Sequence, residues 1–205
     1  MNILVACEES QTVTKAFLKK GHNIFSCDLQ RCSGGMPERH IIGDCLLLLD
    51  GGFFITEDGT VHYVEKWDML IGHPPCTYFS RAGACHLFPG GVLNLDRFEK
   101  GLEMRNLFMQ LWNCNISKIC LENPVPMKIW QLPPHSDCVQ PYEFGHPYSK
   151  MTYLWLKNLP GLFSTGLMCD WEEFTTQQSG SNKNKAKKRS KTFDGIAQAM
   201  AAQWG

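Results

Sequence analysis

No stretch of this chain is long and apolar enough to cross a bilayer; the run Leu46 to Leu49 is far short of a membrane helix. The N-terminus, MNILVACEES, has no basic segment ahead of its apolar residues, so it does not read as a secretory signal. The ten cysteines include no Cys-x-x-Cys and no zinc-knuckle spacing, and no metal site is expected from them. Several, such as Cys7, Cys27 and Cys120, lie inside apolar runs and read as buried free thiols in a reducing compartment. A cytoplasmic protein without membrane contact is the expectation. The chain also has no net charge, with 20 basic and 20 acidic residues. That balance is uneven, because Lys183 to Lys191 holds six basic residues and no acidic one. The rest carries 14 basic against 20 acidic residues, so no broad nucleic-acid face is evident outside that segment. The segment (Lys183, Lys185, Lys187, Lys188, Arg189 and Lys191) reads either as a solvated loop or as a phosphate contact.

With 205 residues, the chain is most simply one domain, 1–205, with a proper core. Asn2 to Ala6 predicts a first strand. Ser10 is placed to cap a helix from about Gln11 to Lys20, which Gly21 would end. Strands over Asn23–Cys27 and His40–Ile42 follow, and this strand-helix-strand opening predicts a mostly parallel sheet. Residues 51–65 differ: Phe53, Phe54 and Ile55 oppose Val61, Tyr63 and Val64 across Asp58-Gly59, a hairpin inserted before a strand over Asp68–Ile71. A long helix is expected over Leu93–Asn113, with Leu95, Phe98, Leu102, Leu107, Phe108 and Leu111 among its apolar positions. Lys118–Leu121, Val139–Phe144 and Thr152–Leu156 read as later strands, Met127–Leu132 as a helical turn, and Phe193–Trp204 as a closing helix. Pro160–Ser181 reads as irregular, and no internal repeat is present.

Two strand ends carry the chemistry. An apolar run ends in His73-Pro74-Pro75-Cys76, delivering a thiol to the carboxyl end of a strand, where open α/β sheets bind ligands. A second run, Ile119 to Pro124, delivers Glu122 to a proline-stopped loop. A cysteine and a carboxylate on neighbouring strand ends suit nucleophilic attack assisted by an acid. Alone, Cys76 could be a structural thiol, Glu122 an ion-pair partner and His73 a residue that merely orients its loop. The first strand-to-helix turn, Ala6-Cys7-Glu8-Glu9-Ser10-Gln11, lacks the glycines that cradle a dinucleotide pyrophosphate. Asp28 and Asp44 end the second and third strands, where acids commonly bind a ribose diol or an amino group, although loop aspartates are often only turn residues. Together they suggest an adenosyl cofactor without a pyrophosphate.

These residues resemble the S-adenosylmethionine-dependent cytosine C5 methyltransferases. Pro75-Cys76 with Phe79-Ser80-Arg81-Ala82-Gly83 matches that family's nucleophile loop, and Glu122-Asn123-Pro124 matches its Glu-Asn-Val. Gly145 to Thr152 echoes its Gly-x-Pro-Gln-x-Arg-x-Arg strand, Asp28 matches its ribose-binding acid, and Thr192 to Ala197 sits where its last motif returns to the cofactor. The resemblance covers most of 1–157 and the last dozen residues, and is strongest to short, phage-encoded members, which would place the protein in a bacterial host's cytoplasm.

The resemblance implies a Rossmann-like α/β fold, a mostly parallel sheet with helices on both faces and a small hairpin insertion. It implies Cys76 as nucleophile on C6, Glu122 as the acid at N3, and Lys150 beside the pyrimidine O2. It implies Ala6, Glu8, Ser10, Asp28, Leu29, Asp44, Cys45, His73 and Pro74 around S-adenosyl-L-methionine, and Pro75, Ser80, Asn123 and Thr152 around the substrate. There are departures. Glu8 and Glu9 stand where the family has a Gly-rich loop, and one of them would meet the positively charged methionine end. Lys150 and Thr152 replace two arginines, and Thr152 is a poor substitute. Between Leu156 and Phe193 there is no room for a target-recognition domain. Cytosine in DNA is the first expected substrate and a free cytosine nucleotide the second. A folate-dependent pyrimidine methylase fits Leu121-Glu122-Asn123-Pro124 and Asp28 poorly. A decayed fold that only binds nucleic acid or a protein partner sits badly with an intact Cys76 and Glu122.

Overall fold

The computed structural model describes residues 1–174 and 191–205; most of the basic segment, Lys183 to Arg189, lies outside them. A seven-stranded mixed sheet forms the centre. Its parallel part runs, in spatial order, β3 (His40–Ile42), β2 (Asn23–Asp28), β1 (Asn2–Ala6), β6 (Met69–Gly72) and β7 (Lys118–Pro124). The antiparallel strands β10 (Thr152–Lys157) and β8 (Asp137–Val139) complete one edge. The apolar runs ILVA, MLI and ICL give β1, β6 and β7 side chains buried on both faces, as parallel strands covered on two sides require. One face packs Ile3, Val5, Ile71 and Cys120 against α1 (Thr12–Leu18) and α4 (Asp194–Trp204). The other packs Leu4, Leu70 and Leu121 against Phe108 and Leu111 of α3 (Leu95–Asn113). No described helix is long and apolar enough to cross a membrane.

The hairpin forms where expected, β4 (Gly52–Ile55) against β5 (Val61–Val64), with Phe53 opposite Tyr63. Asp58 accepts from the Thr56 and Thr60 hydroxyls, each at 2.7 Å, and Gly59 takes φ 89°, which closes the turn. Phe54 and Trp67 pack on Phe25.

Three local expectations change. Ser10 does not cap α1: Gln11 occupies the cap position in left-handed backbone, φ 56°, and the cap is supplied from farther back, by Glu8. The strand expected over Val139–Phe144 is confined to Asp137–Val139, because Pro141 has no N–H for a ladder and opens a 3-10 turn. On α3, Leu95 and Leu102 are exposed, and the buried face runs through Gly101, Phe108 and Leu111.

Gly101 has a packing role. A Cβ there would lie 2.0 Å from the Trp130 ring. Trp130 is buried, stacks on Phe98 and touches Phe79 of the Cys76 loop. Gly101→Ala is expected to destabilise the protein by about 1–3 kcal/mol through overpacking, read as a lower urea midpoint.

Candidate active site

Strand register sets out the site. Ala6 pairs Gly72, and Gly72 pairs Leu121. The next residues along β1, β6 and β7 are therefore Cys7, His73 and Glu122, side by side at the carboxyl edge of the sheet. On the other flank Ala6 pairs Cys27, so Asp28 follows as Cys7's neighbour. His73 N donates to Ala6 O at 2.9 Å, which carries the β1–β6 ladder one residue past the strands.

The Cys76 loop is fastened at several points. Phe79 N and Ser80 N both donate to Cys76 O, at 3.0 and 3.1 Å, and fold the loop back on itself. Phe79 is fully buried, and its carbonyl accepts from Met127 N at 2.8 Å. Arg81 N donates to Val125 O at 3.0 Å, and Ser80 bridges Pro126. Asn123, also buried, donates from Nδ2 to Pro74 O at 2.9 Å. Arg97 of α3 reaches Thr77 O at 2.8 Å and lies over Tyr78. These contacts fasten the thiol-bearing loop to the end of β7 and the loop after it, with Cys76 half-buried and Pro75 exposed.

His73 and Glu122 form a buried pair, Nδ1 to Oε2, at 3.0 Å. Their side chains are 7% and 13% exposed, so solvent screens the pair little. Burial alone would favour the neutral ring, but the Glu122 hydrogen bond and charge, with Glu8 behind them, outweigh it and raise the His73 pKa. Burial would likewise raise the Glu122 carboxyl; the His73 hydrogen bond and the Lys150 charge pull it below its ordinary value. The two shifts agree on a charged imidazolium–carboxylate pair. Lys150 stands just before β10, its N–H held by Gln140 Oε1 at 2.9 Å. The Thr152 hydroxyl donates to Lys150 O at 3.1 Å, so it shapes the Lys150 turn.

On the other flank Asp28 Oδ1 accepts from Gln30 N at 2.9 Å, and among the described residues no hydrogen bond engages Oδ2. Asp44 Oδ1 accepts from Leu46 N at 2.9 Å and starts the 3-10 turn holding Cys45. Leu29 is exposed, Ala6 and Pro74 are buried, and Ser10 bonds the Thr12 hydroxyl. Half-buried Asp28 and exposed Asp44 fit the acceptors an adenosyl group needs for its ribose hydroxyls and amino group. Glu8 has a different task. Oε1 accepts from Val13 N at 2.6 Å, and Oε2 from the Thr14 hydroxyl and N–H, so both oxygens serve the first turn of α1. Burial raises its pKa in spite of those bonds. A Cys45 hydrogen bond, burial and the charges of Cys45, Asp28 and Cys27 push the Cys7 thiol far up.

The structure thus brings Glu122, Lys150, Asn123, His73 and Pro74 together around the Cys76 loop, and groups Ala6, Ser10, Asp28 and Asp44 along the adjoining strand ends. Glu8 is tied to α1. Of the basic segment, Lys191 is described, and its Nζ meets Ser33 Oγ at 3.2 Å. Sequence reasoning missed the His73–Glu122 pair and the Asn123 tie. Nothing within 49 residues of chain marks either; only the β6–β7 register does.

No family model matches the chain, and no curated protein matches it. Solved structures do. One, named as a DNA modification methyltransferase encoded within an E. coli prophage, is 13% identical, with a TM-score of 0.42 over 76% of this chain and 46% of its own. The chain spans less than half of that protein. A likeness at this level carries no argument, so the functional reading rests on the site.

The pair has a pH signature. His73, with its pKa raised, adds stability below its unfolded value and loses it as pH rises through the folded value. Glu122, with its pKa lowered, adds stability above its unfolded value and loses it as pH falls through the folded value. The contribution peaks at roughly pH 4.5–6.5. Glu122→Gln is expected to cost on the order of 3 kcal/mol there and less at alkaline pH, where His73 sheds its proton. Urea denaturation across pH checks this; a pH-independent loss would mean the pair is uncharged.

Proposed function

We propose that the protein is an S-adenosylmethionine-dependent methyltransferase acting on C5 of cytosine in DNA through a covalent Cys76–C6 bond. The observation that carries this reading is the fastening of the Cys76 loop to β7, next to Glu122, through Asn123 Nδ2 and Pro74 O. It ties a nucleophile to a buried acid group, with the Lys150 charge acting on the same carboxylate.

In this reading Cys76, as thiolate, attacks C6 and forms the S–C6 bond. Electrons shift through C5 and C4, and a proton reaches N3 from the Glu122 side, leaving C5 nucleophilic. S-adenosylmethionine, when bound, supplies the methyl group for C5. Loss of the C5 proton to a base then re-forms C5=C6, expels the Cys76 thiolate, and lets N3 return its proton. Lys150 offers a charged hydrogen bond to the pyrimidine O2. Asp28 would hold the ribose hydroxyls and Asp44 the amino group of adenine, with Ala6, Ser10, Leu29, Cys45 and Pro74 lining that side. The methionine end is left without Glu8, whose oxygens are engaged by α1.

A second reading, a free cytosine nucleotide as substrate, is favoured by one observation. The described residues after β10, as far as Phe174, form no unit of their own beyond the two-residue strand β11 (Glu172–Glu173), paired with β9 (Tyr148–Ser149). Flipping a base out of a duplex needs a surface that holds the opened strands.

Incubation with methyl-labelled S-adenosylmethionine and duplex DNA, single-stranded DNA or cytosine nucleotides separates the two. Label in polynucleotide is the expected result; label confined to nucleotide would move the assignment to the second reading. Cys76→Ser is expected to abolish transfer with cofactor affinity unchanged. Transfer that survives it would remove Cys76 as the nucleophile.

A further inference from the structure

We infer that His73 is the proton reserve for Glu122, holding at Nδ1 the proton that Glu122 passes to the pyrimidine N3. This rests on the reading of Cys76 and Glu122 as the catalytic pair. A carboxyl that serves as an acid at N3 must have a proton to give, yet Glu122 is ionised beside His73 and Lys150. Catalytic acids are usually arranged the other way, with burial or a like charge keeping the carboxyl protonated. Here the proton has to come from a neighbour, and Nδ1 is 3.0 Å from Glu122 Oε2.

The groups facing His73 come from three elements. Glu122 lies on β7, Glu8 in the turn after β1, and Lys150 ahead of β10. The two acids favour the imidazolium and the lysine opposes it, so the ring holds its proton with a counterweight close by. That balance suits a group that must release a proton during the reaction and take it back. Nε2 is buried without a partner among the described residues. A purely structural histidine would be expected to satisfy both nitrogens, because an unmet buried donor costs about 1–3 kcal/mol. Among the described residues, the His73 ring is anchored on its Glu122 side alone.

The proton count closes. As the S–C6 bond forms, the Nδ1–H bond breaks, the proton crosses Glu122 Oε2, and an N3–H bond forms. His73 is left neutral with its hydrogen on Nε2, and Glu122 is ionised before and after. When the adduct collapses, the N3 proton returns by the same path. The C5 proton leaves separately, so each turnover still releases one proton.

Two measurements test the relay. His73→Asn keeps an N–H donor at the Nδ1 position without a transferable proton. It is expected to lower kcat by about 10²-fold or more, leave the cofactor Kd within about twofold, and remove the alkaline fall of the kcat–pH profile. An unchanged kcat, a loss confined to cofactor Kd, or a retained alkaline limb would overturn the proposal. Nitrogen-15 NMR of the imidazole in the wild-type chain without substrate is expected to show His73 protonated at pH 7 and titrating lower in Glu122→Gln. A neutral His73 at pH 7 would also overturn it. If the wild type methylates no cytosine substrate, the parent reading fails and the relay fails with it. If transfer occurs but His73 is neutral, the relay alone fails.

Discussion

The site depends on the register of β6 between β1 and β7. Gly72 pairs Ala6 on one side and Leu121 on the other, and those pairings align Cys7 and His73, the first residues beyond β1 and β6, with Glu122 of β7. Strand side chains alternate faces, so a slip of one residue would turn His73 away from Glu122 and bury the wrong set of side chains. The continuous apolar runs of these strands lock the register, because any slip must place the polar residues at their ends into the core. A Cβ on Gly72 would come within 2.7 Å of the Leu121 side chain, so the glycine lets the two strands approach just before the functional residues diverge.

Burial turns that alignment into chemistry. A salt bridge this deep gives up the solvation of both charges, which offsets much of its Coulombic gain. Its value lies in fixing charge: the field of Glu122 keeps a proton on a ring that burial would otherwise neutralise. The Cys76 loop is half-buried and held through backbone hydrogen bonds to the carbonyls of Cys76, Phe79 and Val125. Cys76, Glu122 and the aspartates Asp28 and Asp44 are distributed over different strands and loops, so each can be tuned by its own surroundings. The hydrophobic stack of Phe79, Trp130 and Phe98, seated on Gly101, supports the Cys76 loop from below.

Much of this was legible in the residues. β1, β6 and β7 announce themselves as apolar runs, and the Asp58-Gly59 hairpin by its turn chemistry. Cys76 and Glu122 stand out because each closes such a run with a proline beside it. Other features depend on contacts that cross the chain. Ser10 has the chemistry of a helix cap, yet the buried Glu8 carboxylate takes the Val13 and Thr14 amides, because the left-handed turn at Cys7 and Gln11 brings it over the helix end. Thr152 reads as a weak substrate ligand, yet its hydroxyl is spent on Lys150 O. His73 reads as a loop residue near the cofactor, and its pairing with Glu122 emerges only when two strands are laid side by side.

The covalent step is the account's centre, and trapping it is the most direct measurement. A 5-fluorocytosine base takes thiolate at C6 and methyl at C5, but has no C5 proton to lose, so the adduct cannot collapse. Intact-mass and peptide analysis after incubation with S-adenosylmethionine and 5-fluorocytosine-containing DNA should show a methylated adduct on Cys76. Methyl transfer to ordinary cytosine DNA with no adduct, or an adduct on another residue, would contradict the account.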